Sequence, residues 1–111
     1  MRKLPRTYSK ITIHALTLLG AQVRQARTRL QMTTTELAER GGISRTTLAK
    51  IEKGDPYVEI GLVFEAAVLV GIPLFDVEGS SLGARVERLQ DKLALLPKAV
   101  RQKRSEVNDD F

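Results

Sequence analysis

The sequence predicts an all-α fold, and three observations carry that expectation. Apolar residues recur at three- and four-residue intervals along most of the chain; a glycine or proline follows each periodic stretch after the first; and no segment alternates at the period of two that a half-buried strand needs. In the first stretch, opening at Ser9 or Thr12 and running to Leu30, Leu16, Leu19, Val23, Ala26 and Leu30 draw one stripe down a long helix. Thr33 stands three residues before Glu36, the capping-box spacing in which each side chain accepts from the other's free backbone N–H. A short helix follows, and Gly41 and Gly42 stop it. Ser44 caps the next helix, which runs through Glu52, turns Leu48 and Ile51 inward, leaves Arg45, Thr46, Thr47 and Lys50 outward, and closes at Gly54. Ile60, Val63, Phe64, Ala67 and Val70 mark a fourth helix ending at Gly71, and Pro73 opens a single extra turn. The last helix, from about Ser81 to Leu96, carries Leu82, Val86, Leu89, Leu93 and Leu96 at heptad spacing and stops before Pro97.

Composition narrows the function before any motif does. A chain of 111 residues supplies about one domain, and 42 % hydrophobic with 28 % charged residues is ordinary for a globular protein. The absence of cysteine excludes disulfides and thiolate zinc sites, and a lone histidine, His14, leaves little for an imidazole metal centre or a Ser/His/Asp arrangement. Neither an enzyme nor a metal or other cofactor is expected. The longest uncharged stretch, Ile11 to Val23, is shorter than the roughly 20 apolar residues of a membrane span and is broken by Thr12, His14, Thr17 and Gln22. The expected location is the cytoplasm, with no membrane partner.

Charge is unevenly spread. Residues 1–54 hold eleven Lys/Arg against three Asp/Glu, and residues 55–79 hold five Asp/Glu and no base. A polarised basic half suits a polyanion such as nucleic acid, and the acidic segment is expected to face away from it.

The two short helices begin eleven residues apart, between Thr33 and Ser44, and the Gly41-Gly42-Ile43 turn joins them. This is a helix-turn-helix pattern, packed through Leu37, Ile43 and Leu48, whose second helix can enter a major groove about 12 Å wide. Arg45 can donate two hydrogen bonds to guanine; Thr46 and Thr47 can reach base edges or a thymine methyl; Lys50 lies one turn further along. Thr33, Thr34, Ser44 and Lys53 are placed for phosphate, although Thr33 and Ser44 have helix capping as a second use for their hydroxyls.

Residues Leu18 to Ile72 resemble the XRE, or Cro/CI-type, repressor family. The matching residues are Val23-Arg24-Gln25-Ala26-Arg27, Met32-Thr33, Glu36-Leu37-Ala38, Gly42-Ile43-Ser44-Arg45-Thr46-Thr47-Leu48, Lys50-Ile51-Glu52-Lys53-Gly54 and Val70-Gly71-Ile72. Thr34 departs from the pattern, standing where the family often has a longer glutamine that braces against phosphate. The resemblance implies a five-helix Cro/CI-type domain with an additional C-terminal helix and a flexible tail, a structural ion pair between Arg27 and Glu52, and a homodimer on palindromic double-stranded operator DNA. A further stretch of features is similar to HipB-like antitoxins: Gly71-Ile72-Pro73-Leu74-Phe75-Asp76, the helix through Leu89 to Leu96, Leu96-Pro97-Lys98 and Val107-Asn108-Asp109-Asp110-Phe111. It implies an autorepressor that also holds a HipA-like kinase toxin. A stand-alone phage or restriction-control repressor, and an all-helical interaction adaptor, are the alternatives.

The expected divisions are a basic N-terminal arm over 1–11, bearing Arg2, Lys3, Arg6 and Lys10; a DNA-binding domain over 12–78; an amphipathic helix over 79–97 for dimer or core packing; and a polar tail over 98–111.

Overall fold

A computed structural model describes residues 6–76 and 79–100. The expectations for Arg2, Lys3 and the tail residues 101–111 lie outside the described residues. Those described are helical or in turns, with no strand among them: α1 (Lys10–Arg29), α2 (Thr34–Gly41), α3 (Arg45–Lys53), α4 (Ile60–Leu69), a single 3-10 turn (Leu74–Asp76) and α5 (Gly79–Ala94). No described helix is long and apolar enough to cross a membrane. The chain divides into two units, one through Gly79 and one from Ser80.

In the first unit α1 packs on α3 and α4, and α2 packs on the same two helices. Val23, Leu37, Leu48 and Ile51 are the largest side chains wholly removed from solvent, one or two from each of α1, α2 and α3. Each such burial contributes about 2 kcal/mol, and α4 closes the cluster with Val63, Ala66 and Ala67. Two ends of the predicted stripes fall outside this core. Leu30 is 56 % exposed, because α1 ends at Arg29 and the chain turns away through Gln31 at φ 55°. Ile60, the first residue of α4, is 67 % exposed, one turn before its helix meets the core. The single turn expected after Pro73 is present as a 3-10 turn, with Phe75 inside it left-handed at φ 57°.

The approach of α1 to α3 depends on two glycines. Gly20 is buried where a Cβ would stand 2.3 Å from the Ile51 carbonyl oxygen and 2.9 Å from that of Glu52. Gly54 caps α3 at φ 81°, and a Cβ there would stand 2.6 Å from Thr17 Cα. Its role is therefore closeness as well as helix termination.

The second unit contributes α5 and the residues after it. The helix stops at Ala94, two residues short of the sequence expectation, as Pro97 disfavours helical backbone just before it. Val86, Leu89 and Leu93 stand on one face at 47, 58 and 55 % exposure.

Candidate nucleic-acid interface

The link between α2 and α3 is built from local signals. Thr33 Oγ1 accepts from the Glu36 N–H at 3.0 Å, and the Glu36 carboxylate accepts from the Thr33 N–H at 3.0 Å, completing the capping box. Gly42 ends α2 in the left-handed region at φ 65°, and the Ile43 N–H reaches the Ala38 carbonyl at 3.0 Å, the bonding of a Schellman turn. Gly41 belongs to the helix, so the turn proper is Gly42, Ile43 and the next cap, Ser44. Ser44 Oγ accepts from the Thr47 N–H at 3.0 Å and donates to Thr47 Oγ1, also at 3.0 Å. Both hydroxyls with two candidate uses, those of Thr33 and Ser44, are engaged in capping in this structure.

Along α3 the burial pattern separates two faces. Leu48 and Ile51 are buried, whereas Arg45, Thr46, Ala49, Lys50 and Lys53 are exposed. Ala49 was not singled out in the sequence, although its place four residues after Arg45 puts it on the same strip. Thr47 is half-buried. It lines a cleft of about 200 Å³ with Lys50, Asp55, Tyr57, Val58, Glu59 and Leu62. Asp55 and Glu59 thus line one cleft with Thr47 and Lys50 of α3. On α2, Thr34 is exposed in the first turn.

Arg27 and Glu52 tie α1 to the end of α3. Arg27 Nε donates to Glu52 Oε2 at 2.7 Å and Nη2 to Oε1 at 3.1 Å, a bidentate pair, while Nη1 donates to the Met32 carbonyl at 3.0 Å. The side chains are only 13 and 9 % exposed. The hydrogen bond with Glu52 holds the Arg27 guanidinium above its ordinary pKa, against burial, which works the other way.

These elements match a known family. Residues 23–77 match the family described as Helix-turn-helix. The match supports an XRE-type helix-turn-helix domain over those residues. The match runs from the buried Val23 of α1 to just past the 3-10 turn, and it supports a DNA-binding transcription regulator. Comparison with curated proteins finds no match.

The capping box of this domain also sets a pH dependence. Glu36 is held below its ordinary value of 4.5, first by the Thr33 backbone N–H and then by the Thr33 side chain, with Arg40 adding to them against a small desolvation effect. A carboxylate whose pKa is depressed on folding stabilises the fold above its unfolded value, and that stability is lost as pH falls through the folded value. Glu36→Gln keeps the hydrogen-bonding geometry and removes the titration. The variant is expected to melt below the parent at neutral pH and to converge with it in acid, as pH falls below 4.5 and on through the lowered folded value. Parallel curves of melting temperature against pH would show that Glu36 has no part in acid unfolding.

Proposed function

We propose that the chain is a sequence-specific transcriptional autorepressor of the cytoplasm, binding palindromic operator DNA as a homodimer. One observation carries this reading: Arg45, Thr46, Ala49, Lys50 and Lys53 form an exposed strip on the helix after a tight turn, while its other face supplies Leu48 and Ile51 to the core. Arg45, Thr46, Thr47 and Lys50 read bases, and the Ala49 methyl adds an apolar contact for thymine. Thr33 and Ser44 serve the backbone indirectly, since their caps hold the ends of α2 and α3 in the form that presents free N–H groups to phosphate. Thr34 supplies a hydroxyl and Lys53 an ammonium to the same backbone.

The homodimer is part of this reading, because one module reads one half-site and a palindrome needs two. The exposed stripe of α5, with Val86 and Leu93 alternating with Leu89, supports self-pairing through that helix. The finer role, antitoxin of a HipA-like kinase, rests on the likeness of residues 71–76, 89–98 and 107–111 to HipB-like proteins. Co-expression with the product of an adjacent kinase-like reading frame, if one is present, should yield a stable complex; failure of the two to co-purify would leave a repressor alone.

Binding to a labelled duplex from the region upstream of its gene tests the main reading. Arg45→Ala is expected to cost about 1–3 kcal/mol of affinity and to relax preference at one base position with helicity unchanged. Lys53→Ala should weaken all sequences alike and make the salt slope shallower by about one. Parental affinity in Arg45→Ala would remove that residue from the reading set.

A further inference from the structure

The segment before α1 is held against the loop that follows the recognition helix. The Tyr57 hydroxyl donates to the Arg6 carbonyl, 51 residues away in sequence. The Tyr8 ring packs on that of Tyr57 with centroids 5.8 Å apart and planes tilted by 54°, and the Arg6 guanidinium lies over the Tyr8 ring at 5.5 Å. Tyr57 in turn has its N–H bonded to Asp55 Oδ1 at 2.8 Å, and it shares with Thr47 and Lys50 the cleft beside α3. The arm is therefore anchored on the side of the domain from which Lys50 projects.

We propose that this segment is a second DNA-contacting element, in which Arg6 binds the phosphate backbone and Tyr57 is its positioning residue. The inference rests on the DNA-binding reading above and extends it beyond the helix-turn-helix. The Arg6 guanidinium lies over the Tyr8 ring, and a guanidinium carries five N–H donors in its own plane, so the ring contact leaves donors for a phosphate. The carboxylates of Asp55 and Glu59 line the cleft and repel a phosphate, so a cation brought in on the arm offsets them where a duplex would pass. Tethering through Tyr57 lowers the entropy that a free terminal arginine would lose on binding.

The test is fluorescence anisotropy of the full chain with the upstream duplex, titrated between about 50 and 200 mM salt. Arg6→Ala should make the slope of log affinity against log salt shallower by about 0.9, one phosphate's share, with an unchanged melting temperature. Tyr57→Phe, which keeps the ring and removes the donor to Arg6, should move the slope the same way, and the double variant should go no further than Arg6→Ala alone. A parental slope in Arg6→Ala overturns the arm contact and leaves the helix-turn-helix reading standing. A slope change that comes with a lower melting temperature makes Arg6 structural and overturns the contact as well. Additive losses in the double variant overturn Tyr57 as positioning residue. If the parent chain binds no duplex at low salt, the proposed function fails and this inference with it.

Discussion

Replacing Glu52 with alanine is expected to lower the stability of the first unit by about 3 kcal/mol, because the change strands the Arg27 guanidinium in a site only 13 % exposed. Two charge-assisted hydrogen bonds, at 2.7 and 3.1 Å, are lost together, and the Met32 carbonyl at 3.0 Å cannot neutralise the remaining charge. For a unit of this size that corresponds to a fall in melting temperature of roughly 10–20 °C. Removing both charges separates the worth of the pair from the penalty of breaking it. The double variant Arg27→Met with Glu52→Ala should recover much of the loss, since a buried ion pair exchanged for apolar side chains is often near neutral. Thermal melts of the two variants decide the matter. A Glu52→Ala protein melting within a degree or two of the parent would mean that water reaches the guanidinium freely and that the pair contributes little.

What could be read in the sequence was what is encoded within a few residues. The Thr33–Glu36 box, the stop at Gly42 and the cap at Ser44 each close through partners three to five positions apart, so the turn and the helices beside it followed from spacing alone. Leu48 and Ile51 facing in, and Arg45 and Lys50 facing out, follow equally from helical period. Contacts across larger separations had no such signal. Tyr57 meets Arg6 over 51 residues, and nothing in either local pattern marks one for the other. The Arg27 to Glu52 pairing, over 25 residues, entered through family resemblance and not through periodicity. The cleft shared by Thr47 and Glu59 depends on the path of a loop whose length, but not direction, is visible in the sequence. The acidic stretch meets the same limit, since Asp55 and Glu59 line one cleft with Thr47 and Lys50 and nothing in the local pattern marks that meeting.

Gly20→Ala should be strongly damaging, reversing the usual sign of such a substitution. In an exposed helix interior, alanine is favoured over glycine by about 1 kcal/mol. At Gly20 the added carbon would meet the Ile51 carbonyl oxygen at 2.3 Å and the Glu52 carbonyl carbon at 3.0 Å, both main-chain atoms that no rotamer change can move. Relief requires α1 and α3 to separate near the residues that carry Glu52 and Lys53, and forced overpacking of this kind costs about 3 kcal/mol. The displacement bears on function as well as stability, since it moves the helix proposed to read bases against the helix that holds Arg27. Gly61 supplies the internal control. It also lies in a helix, α4, with nothing within 4 Å of an added Cβ, so Gly61→Ala is expected to be neutral or to stabilise by up to about 1 kcal/mol. Denaturant midpoints for the two variants should therefore move in opposite directions from the parent. If Gly20→Ala instead gained stability alongside Gly61→Ala, α1 would not pass α3 at backbone contact, and the close crossing that sets α3 in place would have to be abandoned.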